Sequence, residues 1–244
     1  MNAATTEDKN DHIVECLHRI DSTGNLRNNA RVATLVANPK SKLYLLNKTP
    51  KFHIDALLSL LDLQNFSSHG IVLDPCAGSN TIIQRVQECY LGLKFISNDA
   101  NKSIEDVDQH KNILFERVQL GANDARVKNL ILMTSPPWAA AHHITMHISR
   151  TLYPKASIMA FHVSSDFASN APRTRQEWLS QMVKEGRVTR IESLPLNEGL
   201  EAKPDTAFRR PTWIVIFMNR KVRSMCTKFH LRGYDVVPHS MLDA

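Results

Sequence analysis

Several features that define broad classes of protein are missing from this chain of 244 residues. No apolar run approaches the roughly 20 residues that a membrane-spanning helix requires, so no transmembrane segment is expected. The first twelve residues are polar, which argues against a secretory signal peptide. The chain also has no internal repeat and no low-complexity tract. We therefore expect a soluble intracellular protein of the cytoplasm or nucleus.

Cysteine is scarce, at four residues: Cys16, Cys76, Cys89 and Cys226. No two of them are spaced as Cys-x-x-Cys, and their density is too low for a disulfide framework. Their thiols are expected to be reduced, as in an intracellular protein. No metal site is predicted either. His143 and His147 stand at helical i, i+4 spacing, but no third ligand follows at a useful spacing.

Positive charge is in excess. The net charge of +6 and the sequence pI near 9.2 favour a polyanionic partner. The length predicts one α/β domain with a small appendage. We divide the chain into a helical N-terminal extension, residues 1–48, and a main domain, residues 49–244. Apolar residues recur at helical spacing over Ile13–Ile20 in the extension, and Thr49 and Pro50 can begin a helix of the main domain.

Short apolar runs alternate with amphipathic segments in the main domain, which predicts a mostly parallel sheet. Seven strands are predicted: Gly70–Leu73, Lys94–Ser97, Phe115–Leu120, Leu130–Met133, Ser157–His162, Val188–Leu194 and Thr212–Met218. A helix is predicted over Ala139–Leu152, and a loop over Asp166–Arg175 precedes a helix that ends at Lys184.

The turn after the first predicted strand has the composition of a ligand-binding loop. Asp74 ends the strand, and Pro75, Ala77, Gly78 and Asn80 follow. Small residues let a backbone approach a ligand closely, and the next helix offers unpaired N–H groups at its start. The turn lacks the Gly-x-x-x-x-Gly-Lys-[Ser/Thr] spacing, so a nucleoside triphosphate site is not expected.

Two further aspartates follow the turn along the chain. Asp99 ends the second predicted strand, 99 − 78 = 21 residues after Gly78, a spacing at which an acid reaches the ribose hydroxyls of a nucleotide. Asp124 lies in a Gly-Ala-Asn-Asp turn, where it could meet the adenine edge of a cofactor or simply cap a short helix.

The fourth predicted strand runs into Ser135, Pro136, Pro137 and Trp138. Two prolines fix φ and prevent the strand from continuing. The Ser135 hydroxyl and the Pro136 carbonyl can accept the two N–H bonds of an exocyclic amine, and Trp138 can stack on its ring. The alternative is a simple proline turn that closes a strand. Three predicted strands end in functional side chains at one sheet edge, which favours a catalytic role.

These segments resemble the S-adenosylmethionine-dependent nucleic-acid amino-methyltransferases. Asp74–Thr81 is similar to their cofactor loop, D-P-x-x-G-x-G-T, and Ser135–Trp138 to their catalytic motif, D/N/S-P-P-Y/F/W. Thr49 and Pro50 resemble the element that precedes the loop, and the resemblance covers about Thr49–Met218. Asn80 replaces the second glycine of the loop, and asparagine tolerates positive φ better than other non-glycine residues.

The resemblance implies a doubly wound, Rossmann-like methyltransferase fold, with a mostly parallel seven-stranded sheet and an antiparallel edge hairpin. It implies S-adenosylmethionine as cofactor and an exocyclic amine of a nucleobase as substrate. A serine that opens the catalytic motif is most like the enzymes of the cytosine 4-amino group in DNA, and adenine is the next choice. Nucleic acid, DNA before RNA, is the expected partner, and a partner protein or a homodimer is possible.

The connection Pro195–Pro211 would help to hold a flipped base if it acts as in that family. Phe208 is the candidate for the second face of the base, and Arg209 and Arg210 for phosphate contacts. Arg173 and Arg175 flank the same proposed pocket. The alternative for the connection is an aromatic side chain tucked under a loop beside two solvated arginines.

Two other functions stay open. Ser135–Trp138 and Asn80–Ile82, which open the helix after the cofactor loop, are also similar to trimethylguanosine synthases, which methylate the 2-amino group of an RNA cap, although Ala139–Ala141 stands where those proteins have Gly-Gly-Pro. A catalytically silent subunit of the same fold is the other alternative, which the substitution at Asn80 suggests.

Overall fold

The structure, a computed structural model, describes residues 14, 15, 17–19, 32, 33, 48–66, 69–121, 129–169, 172–192, 194, 210–228 and 235–238. Its helices are α1 (Lys51–Leu60), α2 (Thr81–Cys89), α3 (Ala141–His147), α4 (Arg173–Lys184) and α5 (Arg220–Cys226). Its strands are β1 (Ile71–Asp74), β2 (Lys94–Ser97), β3 (Leu130–Thr134), β4 (Ile158–Ser164), β5 (Val188–Glu192), β6 (Pro211–Phe217) and β7 (Asp235–Pro238).

The described strands form one seven-stranded sheet in the order β2-β1-β3-β4-β6-β5-β7. The pairs β1–β2, β1–β3, β3–β4 and β5–β7 are parallel, and β6 is antiparallel to both of its neighbours. The prediction of a mostly parallel seven-stranded sheet with an antiparallel hairpin is therefore confirmed.

The sheet is covered on both faces. Successive residues of a strand point to opposite faces, and those of β1 enter two different hydrophobic clusters: Ile71 and Leu73 the first, Val72 the second. The first cluster also contains residues of α3 and α4, and the second contains residues of α1, α2 and α5. Because both faces are buried, β1 and β3 are buried along their whole length and are apolar, without alternation, up to their last residues, Asp74 and Thr134.

One predicted strand is wrong. Phe115–Leu120 forms turns and irregular backbone, and Phe115 is exposed. Side chains satisfy backbone N–H groups in and beside this segment: Gln109 Oε1 accepts from the Gln119 N–H, and Glu116 Oε2 accepts from the Asn112 N–H. Such local bonds compete with a strand ladder. The residues that continue the pairing beyond β2 are instead Asn98 and Gln109.

The seventh strand lies elsewhere than predicted. β7 pairs in parallel with β5, so the β5–β6 hairpin stands inside the sheet and β7 forms the edge. Strand β7 has four residues, in a tail for which no strand was predicted. An unpaired edge exposes a row of backbone donors and acceptors, and β7 satisfies those of β5 on one side.

Helix boundaries differ slightly from the predictions. α1 begins at Lys51, and the extended Pro50 before it takes the N-cap position. No side chain caps the first turn, so Thr49 does not serve as the cap of this helix. The helix predicted over Ala139–Leu152 is a 3₁₀ turn at Trp138–Ala140, then α3, then a π turn at Ile148–Leu152. None of the helices in the described ranges is long and apolar enough to cross a membrane.

The division of the chain at residue 48 remains a prediction. Three described residues of the extension, Leu17, Val32 and Ala33, are buried in the same cluster as one face of the sheet.

Candidate active site

One pocket opens at the carboxyl edge of β1, β2 and β3. Its empty volume is about 550 Å³, including space open to solvent. The lining residues are Pro75, Cys76, Gly78, Asp99, Ala100, Lys111, Asn112, Ile113, Leu114, Ser135, Pro137 and Ile144. The pocket thus joins the turn after β1, the end of β2 and the proline turn after β3, which are the three strand ends that the sequence analysis singled out.

The turn after β1 adopts the conformation that its glycine and asparagine allow. Gly78 has φ of 51° and Asn80 has φ of 58°, both in the left-handed region. A Cβ on Gly78 would meet no atom within 4 Å, so this backbone faces open space. The Asn80 Nδ2 donates to the Asp106 carbonyl at 2.9 Å, and Asn80 is not among the lining residues. Its side chain therefore does not fill the pocket.

Asp99 fastens the turn to the end of β2. Its Oδ2 accepts from the Gly78 N–H at 2.9 Å, and its Oδ1 accepts from the Asn101 N–H at 2.8 Å. The side chain is buried yet lines the pocket. Since each carboxylate oxygen has two lone pairs, both can accept a further hydrogen bond from a ligand hydroxyl. A second hydrogen bond between the turn and the residues after β2 runs from the Ala77 N–H to the Asn98 carbonyl.

Asp74 is fully buried beside the pocket. Its Oδ1 accepts from the Cys76 N–H at 3.1 Å, whereas its Oδ2 has no hydrogen-bond partner within the described residues. Burial raises the pKa of Asp74 to about 7, and the charge of Asp99 raises it further, against the opposing effect of the Thr134 hydroxyl and the Cys76 N–H. A buried, half-satisfied carboxyl group is a site at which a cationic or hydrogen-bonding ligand is favourable.

The proline turn brings Ser135 and Pro137 to the pocket wall. The Ser135 Oγ lies 3.2 Å from His162 Nδ1. Pro136 is buried and Trp138 is half-buried, and neither lines the pocket. The Trp138 indole N–H has no hydrogen-bond partner in the described part of the chain. The predicted stacking of Trp138 on a substrate ring therefore stays a prediction.

Sequence reasoning missed one wall of the pocket, Lys111–Leu114. The Asn98 side chain holds it in place: its Oδ1 accepts from the Lys111 N–H at 2.8 Å, and its Nδ2 donates to the Pro75 and Lys111 carbonyls. No periodicity marks this wall, because a long-range contact of a single buried side chain creates it. The imidazole of His162, next to Ser135, was missed for the same reason.

The predicted phosphate contacts fall in different surroundings. Arg210 is exposed directly before β6. Because β6 is antiparallel to β4, Arg210 lies at the same sheet edge as the pocket, and its carbonyl accepts from the Ser165 N–H. Arg173 is exposed and donates to Glu177 at 2.8 Å.

Arg175 does not fit a phosphate contact. It lies in the first turn of α4 rather than in the predicted loop, because the helix begins directly after Pro172. Its guanidinium is buried and stacks 3.8 Å from the centre of the Phe167 ring. A phosphate would have to displace this packing to reach it.

The remaining predicted residues lie either outside the described residues or at positions that do not line the pocket. Asp124, Phe208 and Arg209 lie outside the described residues. Thr49 is buried and Pro50 half-buried before α1, and neither lines the pocket. Among the residues that the structure describes, no group of three or more His, Cys, Asp or Glu side chains is placed to hold a metal ion.

The fold can be compared with known proteins. No protein-family model and no curated protein sequence matches the chain. The methyltransferase subunit of a type I restriction-modification system from Streptococcus thermophilus superposes with a TM-score of 0.51 and 12% identity, over 81% of this chain. The chain has a methyltransferase fold. It spans 50% of the length of that subunit. The plantazolicin methyltransferase BpumL in complex with SAH is also similar, with a TM-score of 0.38 and 7% identity over 86% of this chain and 98% of that one.

The raised pKa of Asp74 predicts a specific pH dependence of stability. Between its ordinary value of 3.8 and its folded value of about 7, the folded chain holds a proton that the unfolded chain has released. The contribution of Asp74 to the free energy of unfolding therefore falls as the pH rises through this window. Relative to the parent, Asp74→Asn should gain stability from pH 4 to pH 7, by at most about 4 kcal/mol, and then level off.

Urea unfolding at each pH measures this difference, and comparison with the parent cancels the other titrating groups. Glu105→Gln, which changes an exposed acid of the neighbouring loop, is the matched control. A difference between Asp74→Asn and the parent that does not change with pH would contradict the assignment.

Proposed function

We propose that this protein transfers a methyl group from S-adenosylmethionine to the exocyclic amine of a nucleobase. The first candidate is the 4-amino group of cytosine in DNA, and the amino group of adenine is the second. One observation carries the proposal: a single pocket is lined by Gly78 and Asp99 on one side and by Ser135 and Pro137 on the other. The first pair suits a nucleoside cofactor, and the second pair suits an amine.

The pocket fits the proposed cofactor. Gly78 leaves open space where a side chain would otherwise stand, and Asp99 keeps lone pairs for ribose hydroxyls. The unpaired Oδ2 of Asp74 would gain from an ammonium group, directly or through water. When bound, S-adenosylmethionine supplies an electrophilic methyl group on a sulfonium ion.

The residues of the proline turn would then orient the amine. The Ser135 hydroxyl and the Pro136 carbonyl accept its N–H bonds, which draws electron density toward the nitrogen. Holding the nitrogen in line for attack is a large part of the catalysis, since good orientation saves roughly 7–11 kcal/mol of barrier.

The charge distribution supports a nucleic-acid substrate. The chain carries a net charge of +6, and the exposed Arg210 stands at the edge of the sheet where the pocket opens. Arg209 and Phe208 precede it in sequence and are proposed to contact phosphate and base. DNA remains the preferred nucleic acid on the strength of Ser135. A protein partner or a second copy of the chain is an open prediction.

Loss of the Asp99 carboxylate should weaken cofactor binding. A hydrogen bond to a charged group is worth about 1.5–3 kcal/mol, so Asp99→Ala should bind S-adenosylhomocysteine roughly tenfold to a hundredfold more weakly in calorimetry. Asp106→Ala, which removes an exposed acid of the same region, is the control and should bind as the parent does. Parental affinity in Asp99→Ala, with the fold intact by circular dichroism, would refute the assignment.

Methylation assays test the reaction itself. The parent, supplied with labelled S-adenosylmethionine and pools of DNA and RNA, should yield 4-methylated deoxycytidine in nucleoside mass spectrometry. Ser135→Ala should lower the turnover about tenfold, the loss of roughly one hydrogen bond, and should bind cofactor as the parent does. Ser103→Ala, at an exposed serine, is the matched control. Methylation of a cap guanosine would replace the proposal with the cap enzyme, and the absence of any methylated base would overturn it.

A further inference from the structure

A chain of buried polar side chains leads inward from Ser135. Its Oγ is 3.2 Å from Nδ1 of His162, and Nε2 of His162 is 3.0 Å from Nδ1 of His53. The three residues are 8%, 4% and 2% exposed, respectively. They come from the turn after β3, from β4 and from α1. The proposed methyl transfer uses only the first of them.

The sheet register puts His162 beside Ser135. β3 and β4 are parallel with Thr134 opposite Phe161, so the next residue of each strand, Ser135 and His162, stand side by side. The same histidine is the cross-strand partner of Trp213 on β6, and their ring centroids are 4.9 Å apart. The Trp213 Nε1–H donates to the backbone carbonyl of His53 at 2.7 Å. Trp213 thus packs against the His162 ring and is hydrogen-bonded to the backbone of His53.

The Ser135–His162 and His162–His53 contacts are hydrogen bonds only if one atom of each pair carries a proton. Two positions of the His162 ring proton satisfy this requirement. With the proton of His162 on Nε2, this histidine donates to His53 and accepts the Ser135 hydroxyl at Nδ1. With the proton on Nδ1, His162 donates to Ser135 instead, and the serine hydroxyl must find another acceptor. Ser135 Oγ has no other hydrogen-bond partner among the described residues. The first arrangement therefore lets the Ser135 hydroxyl donate to His162, its one partner among the described residues.

The neutral state of His162 agrees with this arrangement. Burial, and secondarily the nearby His53, lower the pKa of His162 to about 3. At pH 7 the imidazole is neutral, so it carries a single ring proton and offers one nitrogen as an acceptor.

We propose that His162, supported by His53, is a positioning residue that fixes Ser135 as a hydrogen-bond acceptor toward the pocket. The inference rests on the proposed function. A free serine hydroxyl can donate or accept, and so could face either an amino or a carbonyl group. When the Ser135 hydroxyl donates its hydrogen bond to His162 Nδ1, only the lone pairs of its oxygen are available to a ligand in the pocket. The site then selects a base that presents an amine, such as cytosine, over one that presents a carbonyl at the same position, such as uracil.

Two isosteric variants separate this role from simple packing. In His162→Asn, the amide oxygen can take the place of Nδ1 and still accept from Ser135, whereas the contact to His53 is lost. In His162→Gln, the amide group reaches the Nε2 position and can contact His53, but the acceptor for Ser135 is missing. We expect His162→Asn to keep most of the kcat and His162→Gln to lose about tenfold, roughly one hydrogen bond, with the KM for S-adenosylmethionine unchanged in both. Equal effects of the two substitutions, whether both are active or both inactive, overturn the inference.

A second measurement does not depend on activity. In ¹⁵N spectra of histidine-labelled protein at pH 7, the resonances that disappear in His162→Gln belong to His162. They should show a neutral ring with its proton on Nε2. A proton on Nδ1, or a doubly protonated ring, overturns the inference even if the protein methylates cytosine. A proton on Nε2 in a protein that methylates no base refutes the proposed function and leaves the hydrogen-bond chain itself established.

Discussion

The hydrogen bond from the Gly78 N–H to the Asp99 carboxylate is the contact on which the site depends. It closes the gap between the turn after β1 and the end of β2. β1 and β2 are parallel, with Asp74 opposite Ser97, so both strands deliver their polar ends to one edge of the sheet. Gly78 adopts a left-handed conformation and exposes its backbone to the pocket, while Asp99 remains able to accept from a ligand. The pocket exists because parallel strands end together.

The same geometry explains how the proline turn joins the site. β3 lies next to β1, so Ser135 reaches the pocket from the opposite side to Asp99. Behind Ser135, the next strand contributes His162, whose ring packs against Trp213. β1 and β3 thus place Asp74 and Ser135 at their carboxyl ends, β4 adds His162, and the two hydrophobic clusters pack against both faces of these strands. A site built on packed strands holds its polar side chains in a defined geometry.

The features that were predicted well from the sequence are those that depend on residues close together in the chain. β2 matches its predicted range, and β1 lies within one residue of its own, because short apolar runs between turn residues indicate buried strands. The left-handed Asn80 followed from the tolerance of asparagine for positive φ. The strand predicted over Phe115–Leu120 was wrong because the Gln109 side chain binds the Gln119 N–H, a backbone donor that a strand ladder would use.

What the sequence did not reveal depends on distant contacts. His53 and His162 are 109 residues apart, and no pattern in either segment marks them as partners. Lys111–Leu114 became a pocket wall through Asn98, again across the sheet edge. Arg173 and Arg175 also differ in a way that the sequence did not show. Both lie in the first turn of α4, directly after Pro172, but Arg175 is buried and Arg173 is exposed.

The central claim is that one pocket holds the cofactor between Asp99 and Ser135. A crystal structure of the chain with S-adenosylhomocysteine tests it most directly. The account predicts ligand density in this pocket, with the ribose hydroxyls within hydrogen-bond distance of the Asp99 carboxylate and the homocysteine sulfur on the side of Ser135. Density for the ligand at another place on the protein, or a ribose turned away from Asp99, would contradict it.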